Sequence, residues 1–384
     1  MWHVALIYDA TNAYNLKVMA GVAEYLHEKG NYNVYIEANA LKDQRLPNLG
    51  SWDGDGIIAN FDHPKVAKAV IRAKLPAVAF GSGYGWYTRT SHIPYFSTNQ
   101  PMVARLAADH LFERGLRNFA YCGYMRTAIN GWSEERERAF VNSLGERGFC
   151  CHIYHARHKT ARHWTSLQQS LASWLLSLPR PVGVLAANDD RAHHILEACR
   201  TAQLRVPADV AVIGVDNDEL LCQLTSPSLS SIQQAARRMG YEAAACLERL
   251  MSGKRRRKQR TVFDPMGLVA RQSTDMVTID DPAVARAAKY IQQNACIGIN
   301  VSKVVSEAAI SRSGLQTRFR TKMGCTIHEA IRRVQLHEAQ RLLADTKIPI
   351  KQIATNVGFR SVQYMTRIFG DAFHQTPARY RRAI

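Results

Sequence analysis

The sequence predicts an α/β domain built on parallel sheets over about the first 270 residues, followed by an all-α domain over the last hundred. Two patterns carry this. Over the first 270 residues, short apolar runs alternate with amphipathic stretches of helical length. Over the last hundred, a single helical pattern occurs twice: Ser311, Leu315 and Phe319 recur fifty positions later as Ser361, Met365 and Phe369. Charge divides the chain in the same way. The net charge is +18, from 50 Lys+Arg against 32 Asp+Glu. Residues 283–384 hold 17 basic and 5 acidic residues, the run 254–260 holds six more basic ones, and the remainder is balanced.

The apolar runs are 4–8, 56–59, 77–81, 118–123, 182–187 and 210–215. Helical stretches such as 15–28, 101–114, 132–147, 164–177 and 192–202 lie between them. Continuous Val/Ile/Ala runs bounded by helices mark parallel strands covered on both faces, joined by right-handed crossovers. Ligands of such sheets bind beyond the carboxyl ends of the strands. Polar residues gather there: Asp9 and Asn12 after the first run, Asn60, Phe61 and Asp62 after the second, and Ser82 after the third. Asn188 and Asp189 follow the fifth run, Asp216 and Asn217 the sixth. Trp132 and Arg136 stand one turn apart at the start of a helix. Carboxylates and amides pair with neighbouring hydroxyls, and ring faces pack on C–H groups, so this set suits a sugar. Asp and Asn at strand ends also form turns and cap helices. The reading therefore depends on the strand ends converging.

The repeated C-terminal pattern reads as two helix-turn-helix units. Val301, Val304, Val305 and Ala308 make one short amphipathic helix; Ile350, Ile353, Ala354 and Val357 make its counterpart. Each is followed by a small residue and an apolar one, Ala309-Ile310 and Gly358-Phe359, as a tight turn requires. Ser311 and Ser361 are placed to cap the second helix of each unit. Leu315/Phe319 and Met365/Phe369 would bury one face of that helix. The opposite face carries Ser313, Gln316, Thr317 and Arg320 in the first unit, and Gln363, Thr366 and Arg367 in the second. Two such faces joined by one helix reach successive major grooves, about 34 Å apart. The concentrated positive charge suits phosphate neutralisation.

Other classes find little support. No apolar run reaches the roughly 18 residues of a membrane span. The start of the chain enters a strand pattern without the features of a signal peptide. Eight scattered cysteines form no Cys-x-x-Cys pair, which fits a reducing cytoplasm. The stretch Gly81-Ser82-Gly83-Tyr84-Gly85-Trp86 has Trp86 where a dinucleotide fingerprint needs glycine. No P-loop, nucleophile elbow or metal-ligand spacing occurs, so the chain is expected to be no enzyme and to hold no metal or cofactor. His152, His155, His158, His193 and His194 read as surface histidines.

The segment 282–384 resembles the AraC-type DNA-binding domain. The resemblance rests on Ala309-Ile310-Ser311-Arg312-Ser313-Gly314-Leu315-Gln316, Gln335-Leu336-His337-Glu338-Ala339, Ile353-Ala354-Thr355-Asn356-Val357-Gly358-Phe359 and Phe373-His374-Gln375-Thr376-Pro377. Ala309 departs from the family's frequent glycine. The first 270 residues resemble the two-lobed, periplasmic-binding-protein-like sensor of LacI-type repressors, without their N-terminal headpiece. Here the evidence is Val212-Ile213-Gly214-Val215-Asp216-Asn217-Asp218-Glu219, Ala186-Ala187-Asn188-Asp189-Asp190-Arg191-Ala192, and Arg136 four residues before Phe140. The fusion, with Asn12-Ala13-Tyr14 and Leu229-Ser230-Ser231, implies a cytoplasmic, D-xylose-responsive transcription activator that is a homodimer. Its implied partners are operator DNA, the sugar and RNA polymerase. A pentose other than xylose, or another small polar ligand, is the alternative effector.

The resemblance implies three crossings between lobes. Lobe 1 is expected over about 1–98 and 228–252, lobe 2 over 99–227 and 261–271. A linker, 272–282, then leads to the DNA-binding domain at 283–384. The basic run 254–260 falls in a loop, either merely solvated or an auxiliary contact to the DNA backbone.

Overall fold

The computed structural model describes every residue except 39–48, 50–51, 82–92, 128, 156–163, 255–259, 277–280, 374 and 383–384. Ser82 and the part of its glycine-rich stretch after Gly81, His158, His374, most of the basic run and some of the linker therefore lie outside the described residues.

Two six-stranded sheets form the α/β part of the chain. The first holds β1 (Trp2–Ile7), β2 (Tyr32–Glu37), β3 (Gly56–Asn60), β4 (Ala77–Phe80) and β5 (Tyr95–Thr98). The second holds β6 (Asn118–Gly123), β7 (Cys151–His155), β8 (Val182–Ala186), β9 (Val210–Val215) and β10 (Ser230–Gln233). Two late strands complete them: β11 (Arg260–Phe263) pairs with β5, and β12 (Gly267–Val269) pairs antiparallel with β10. The orders are β11-β5-β4-β3-β1-β2 and β12-β10-β9-β8-β6-β7. Both are doubly wound, with a switch point beside the first strand of each half, where a crevice opens at the carboxyl ends.

The chain crosses between the sheets three times, but at different places from those read in the sequence. β10 stays in the second sheet, and β11 joins the first. The assignments of 228–252 to lobe 1 and 261–271 to lobe 2 are thus corrected at their starts, while α8 and β12 lie in the lobes expected. Strands of three or four residues carry too little apolar pattern to show which sheet they extend. β2 and β7 were also not legible as runs, because each is an edge strand with only partly buried residues.

Helices α1 (Ala13–Lys29) and α2 (Pro64–Ala73) belong to the first lobe. α3 (Gln100–Glu113), α4 (Gly131–Gly145), α5 (Trp164–Ser177), α6 (Asp189–Thr201) and α7 (Glu219–Leu224) belong to the second. α8 (Ala236–Met251) returns to the first lobe and crosses α1 at close quarters. A side chain on Gly21 would lie 1.8 Å from the Arg237 carbonyl oxygen, and one on Gly240 1.8 Å from that of Val18. Two glycines thus let the backbones meet and tie distant stretches of the sequence into one lobe.

The C-terminal domain comprises α9 (Pro282–Asn294), α10 (Val301–Ala308), α11 (Arg312–Met323), α12 (Ile327–Asp345), α13 (Ile350–Asn356), α14 (Val362–Phe373) and α15 (Pro377–Arg382). It has two apolar cores. Val284, Ile291, Val304, Leu315, Phe319, Ile327 and Ile331 fill the first; Leu336, Ala339, Leu343, Ile353, Met365, Phe369 and Tyr380 fill the second. α12 is shared, its first turns in one core and its later turns in the other. The domain rests on the second lobe. Arg333 pairs with Glu113, Arg117 donates to the Lys322 carbonyl, and the Tyr380 hydroxyl donates to the Met266 carbonyl at 2.8 Å.

Candidate ligand cleft and DNA-reading face

The carboxyl ends of both sheets face one cleft, with about 350 Å³ of empty volume including its open mouth. Its walls are Asn12, Tyr14, Asp62, Gly81 and Thr98 from the first lobe, Trp132, Arg136 and Asp216 from the second, and Gln100 and Gln234 where the chain crosses. Each is placed by its element. Asn12 caps α1, accepting from Tyr14 N at 2.9 Å. Asp62 follows β3, where its backbone N–H donates to Asn60 Oδ1 at 2.7 Å. Gly81 adopts φ +128°, and a side chain there would lie 2.6 Å from an Asp62 oxygen. The glycine both permits that backbone and leaves room for the carboxylate.

The second-lobe wall is charged and buried. Arg136 is 2% exposed; its Nε donates to Gln100 Oε1 at 2.9 Å, and Nη1 donates to the Ala187 carbonyl. The guanidinium lies 5.4 Å from the Trp132 ring centroid, a cation–π distance. Asp216 follows β9 and accepts from Gln234 Nε2. Burial pushes its carboxyl up to about 6, against the Arg136 charge and the Gln234 hydrogen bond, which pull it down. Gln234 Oε1 is buried and has no hydrogen-bond partner among the described residues. A buried acceptor left unpaired is costly, so this oxygen is a ready place for a ligand hydroxyl. Two cations reach across the lobes among the described residues: Lys17 Nζ of α1 donates to the carbonyls of Asp216 at 2.8 Å and Asn217 at 2.5 Å, and Arg260 of β11 stands 3.9 Å from Glu135 of α4.

Of the ten residues proposed from the sequence, five line this cleft: Asn12, Asp62, Trp132, Arg136 and Asp216. The other five are engaged elsewhere. Asp9 Oδ1 accepts from Thr11, from its backbone N–H at 2.9 Å and its hydroxyl at 2.7 Å. Phe61 is buried edge-on against Tyr95 in the first-lobe core. Asn188 caps α6 and accepts from the Tyr124 hydroxyl. Asp189 accepts from the Ser231 hydroxyl at 2.6 Å and Asp218 N at 2.7 Å, so it stands behind Asp216. Burial, then the Asp216 charge, raise its carboxyl to about 8. Asn217 accepts from Arg271 Nη2 at 2.8 Å. Tyr14, Thr98, Gln100 and Gln234 were missed. They sit on helix starts and at crossings, outside the apolar runs that guided the sequence reading.

In the DNA-binding domain the recognition helices are α11 and α14. Ser311 caps α11 through Gly314 N at 3.2 Å, and Ser361 accepts from Tyr364 N at 3.2 Å. Leu315, Phe319, Met365 and Phe369 are fully buried. Ser313, Gln316, Thr317, Arg320, Gln363 and Arg367 are exposed, and Thr366 is partly so. Among the described residues, no group of acidic, His and Cys side chains could hold a metal, and no helix is long and apolar enough to cross a membrane.

A two-lobed sensor with a polar cleft, carrying two exposed helix-turn-helix faces, defines a ligand-responsive transcription regulator. Family models match in three stretches: the XylR N-terminal domain over 3–101, the periplasmic binding protein-like domain over 108–274 and the helix-turn-helix domain over 304–383. The chain belongs to the family of the xylose operon regulatory proteins. It is 35% identical to that of Escherichia coli K12 over 379 residues, 98% of this chain and 96% of the relative. The Haemophilus influenzae protein is 33% identical over 381 residues, 99% and 98% of the two chains. Among solved structures, the xylose-binding transcription activator XylR matches with TM-score 0.65 at 35% identity, covering 99% of this chain and 98% of its own. The CelR–cellobiose complex, 22% identical with TM-score 0.59 over 71% of this chain and 84% of its own, shares the fold.

Proposed function

We propose that the protein is a cytoplasmic, D-xylose-responsive activator that acts as a homodimer on paired operator half-sites and engages RNA polymerase. A sensor at 1–271 and a DNA reader at 283–384 are joined through 272–282. The relatives' names supply the sugar. The observation that carries the reading is the cleft itself: Asp62 and Asp216 face each other's lobes, with Arg136, three amide side chains and the Trp132 ring around them. Asp216 accepts hydrogen bonds from adjacent hydroxyls, Gln234 Oε1 accepts another, and Trp132 packs on the ring. Asp189 acts from behind by fixing the turn at Asp218. A ligand held by both lobes favours the closed cleft by its differential affinity for that arrangement.

Calorimetric titration with a panel of pentoses and hexoses tests this, with D-xylose expected to bind tightest. A different pentose in first place would keep the mechanism and change the effector. Asp216→Ala should weaken xylose binding by about 2–4 kcal/mol, because it strands Gln234 without its partner and leaves the buried Arg136 charge without its neighbouring carboxylate. Affinity within twofold of wild type would place the sugar elsewhere. Sedimentation of the full chain, with and without an operator duplex, reads the dimer.

A further inference from the structure

Helix α3 begins in the cleft and ends under the DNA-binding domain. At its start, Gln100 lines the cleft and accepts from Arg136. At its end, Glu113 pairs with Arg333 of α12. Fourteen residues at about 1.5 Å each make a rod of about 20 Å between these points. The last turn also grips the segment leading to the DNA reader. His110 shares a 2.8 Å hydrogen bond with the Thr274 hydroxyl, and Arg114 Nε donates to the Thr274 carbonyl at 2.6 Å. Thr274 is fully buried.

A second element runs in parallel. β10 ends beside Gln234 in the cleft, and its other end carries Ser230, whose hydroxyl shares a 2.7 Å hydrogen bond with the Thr274 hydroxyl. Arg271, three residues earlier, donates to Asn217 Oδ1, the neighbour of Asp216. Both legs therefore start at groups that line the cleft and meet at one buried threonine.

We propose that the end of α3, together with Met266 and β12, is the seat of the DNA-binding domain, and that α3 and β10 carry the state of the cleft to it. The proposal rests on the regulator reading above. Glu113 and Arg333 are positioning residues: neither lines the cleft, and neither lies on a recognition helix. Gln316, Arg320, Gln363 and Arg367 stay exposed while the domain is seated, so the seat orients a competent reader and does not mask it.

The test uses the full chain with Glu113→Gln, Arg333→Met and the exchanged pair Glu113→Arg/Arg333→Glu. Xylose affinity is measured with and without a saturating operator duplex, and hydrogen exchange is followed without sugar in peptides covering 106–117 and 264–271. Linkage factors between sites are typically about 5–150-fold. Each single variant should bring the factor down to about twofold or less, speed exchange in both peptides, and keep xylose affinity without DNA within twofold of wild type. The exchanged pair should restore much of the linkage. Single variants with wild-type linkage and wild-type exchange overturn the proposal, as does a wild type that binds xylose without any linkage. A wild type that binds no xylose overturns the functional reading instead, and the exchange arm then judges the seat by itself.

Discussion

The two helix-turn-helix units share one plan and differ at the turn. In the first unit Ala309 takes the left-handed conformation, φ 54°, on an exposed corner. In the second the corresponding residue is Gly358, φ 78°. A side chain on Gly358 would lie 2.6 Å from Gly298 N, 2.9 Å from the Cys296 carbonyl oxygen and 3.0 Å from that of Ala295. Gln335 of α12 donates to the carbonyls of both Ala295, at 3.0 Å, and Gly358, at 3.2 Å. The second turn therefore belongs to the joint between the units, whereas at the first Ala309 stands exposed, with Arg286 of α9 donating to the neighbouring Ala308 carbonyl at 2.9 Å. The same backbone conformation is tolerated with a side chain in one place and excludes it in the other. Neighbours decide this, and the turn itself does not.

The sharpest way to break the contrast is Gly358→Ala. It adds left-handed strain to a backbone collision and should destabilise the domain by about 2–5 kcal/mol. Urea unfolding of the full chain, followed by a probe in the C-terminal domain, reads this; a loss below about 1 kcal/mol would mean that the units do not meet at this turn. Smaller effects are expected at the reading faces. Gln316→Ala and Gln363→Ala should each weaken operator binding by about 1–3 kcal/mol while leaving the salt-dependent nonspecific contribution nearly intact. Equal losses on operator and random duplexes would show that these side chains read no bases. The smallest effect belongs to Ala309→Gly. It relieves left-handed strain but loosens the unfolded chain, for a net gain of at most about 1 kcal/mol in the same unfolding experiment. A destabilisation there would show that the first turn also depends on its side chain.

The repeat made this domain legible in the sequence. Leu315, Phe319, Met365 and Phe369, named at i,i+4 on the second helix of each unit, are all buried, because a helix packed on one small core leaves little choice of face. The sensor was legible in its central strands for a similar reason: β3, β4, β8 and β9 are buried on both sides. Its edges and lobe boundaries were not, since β10, β11 and β12 are too short to state their sheet. The cleft was half legible. A strand-end carboxylate announces itself, but the pattern does not say whether it faces the cleft, as Asp216 does, or the neighbouring turn, as Asp189 does. Gln100 and Gln234 owe their place to the crossings between lobes, which no local pattern marks.

The Lys17 bridge to the carbonyls of Asp216 and Asn217 has a consequence for how such a sensor is tuned. Its hydrogen bonds join the lobes through α1 and ask nothing of a ligand. Every 1.4 kcal/mol by which they favour closure shifts the ratio of closed to open molecules about tenfold before any sugar arrives. The same shift raises apparent sugar affinity and background output together, and narrows the range left for the sugar to control. With the closed cleft as the active arrangement, Lys17 would set the trade between sensitivity and leakiness from outside the cleft, and Lys17→Met would move the dose–response curve along its concentration axis with the sugar contacts unchanged.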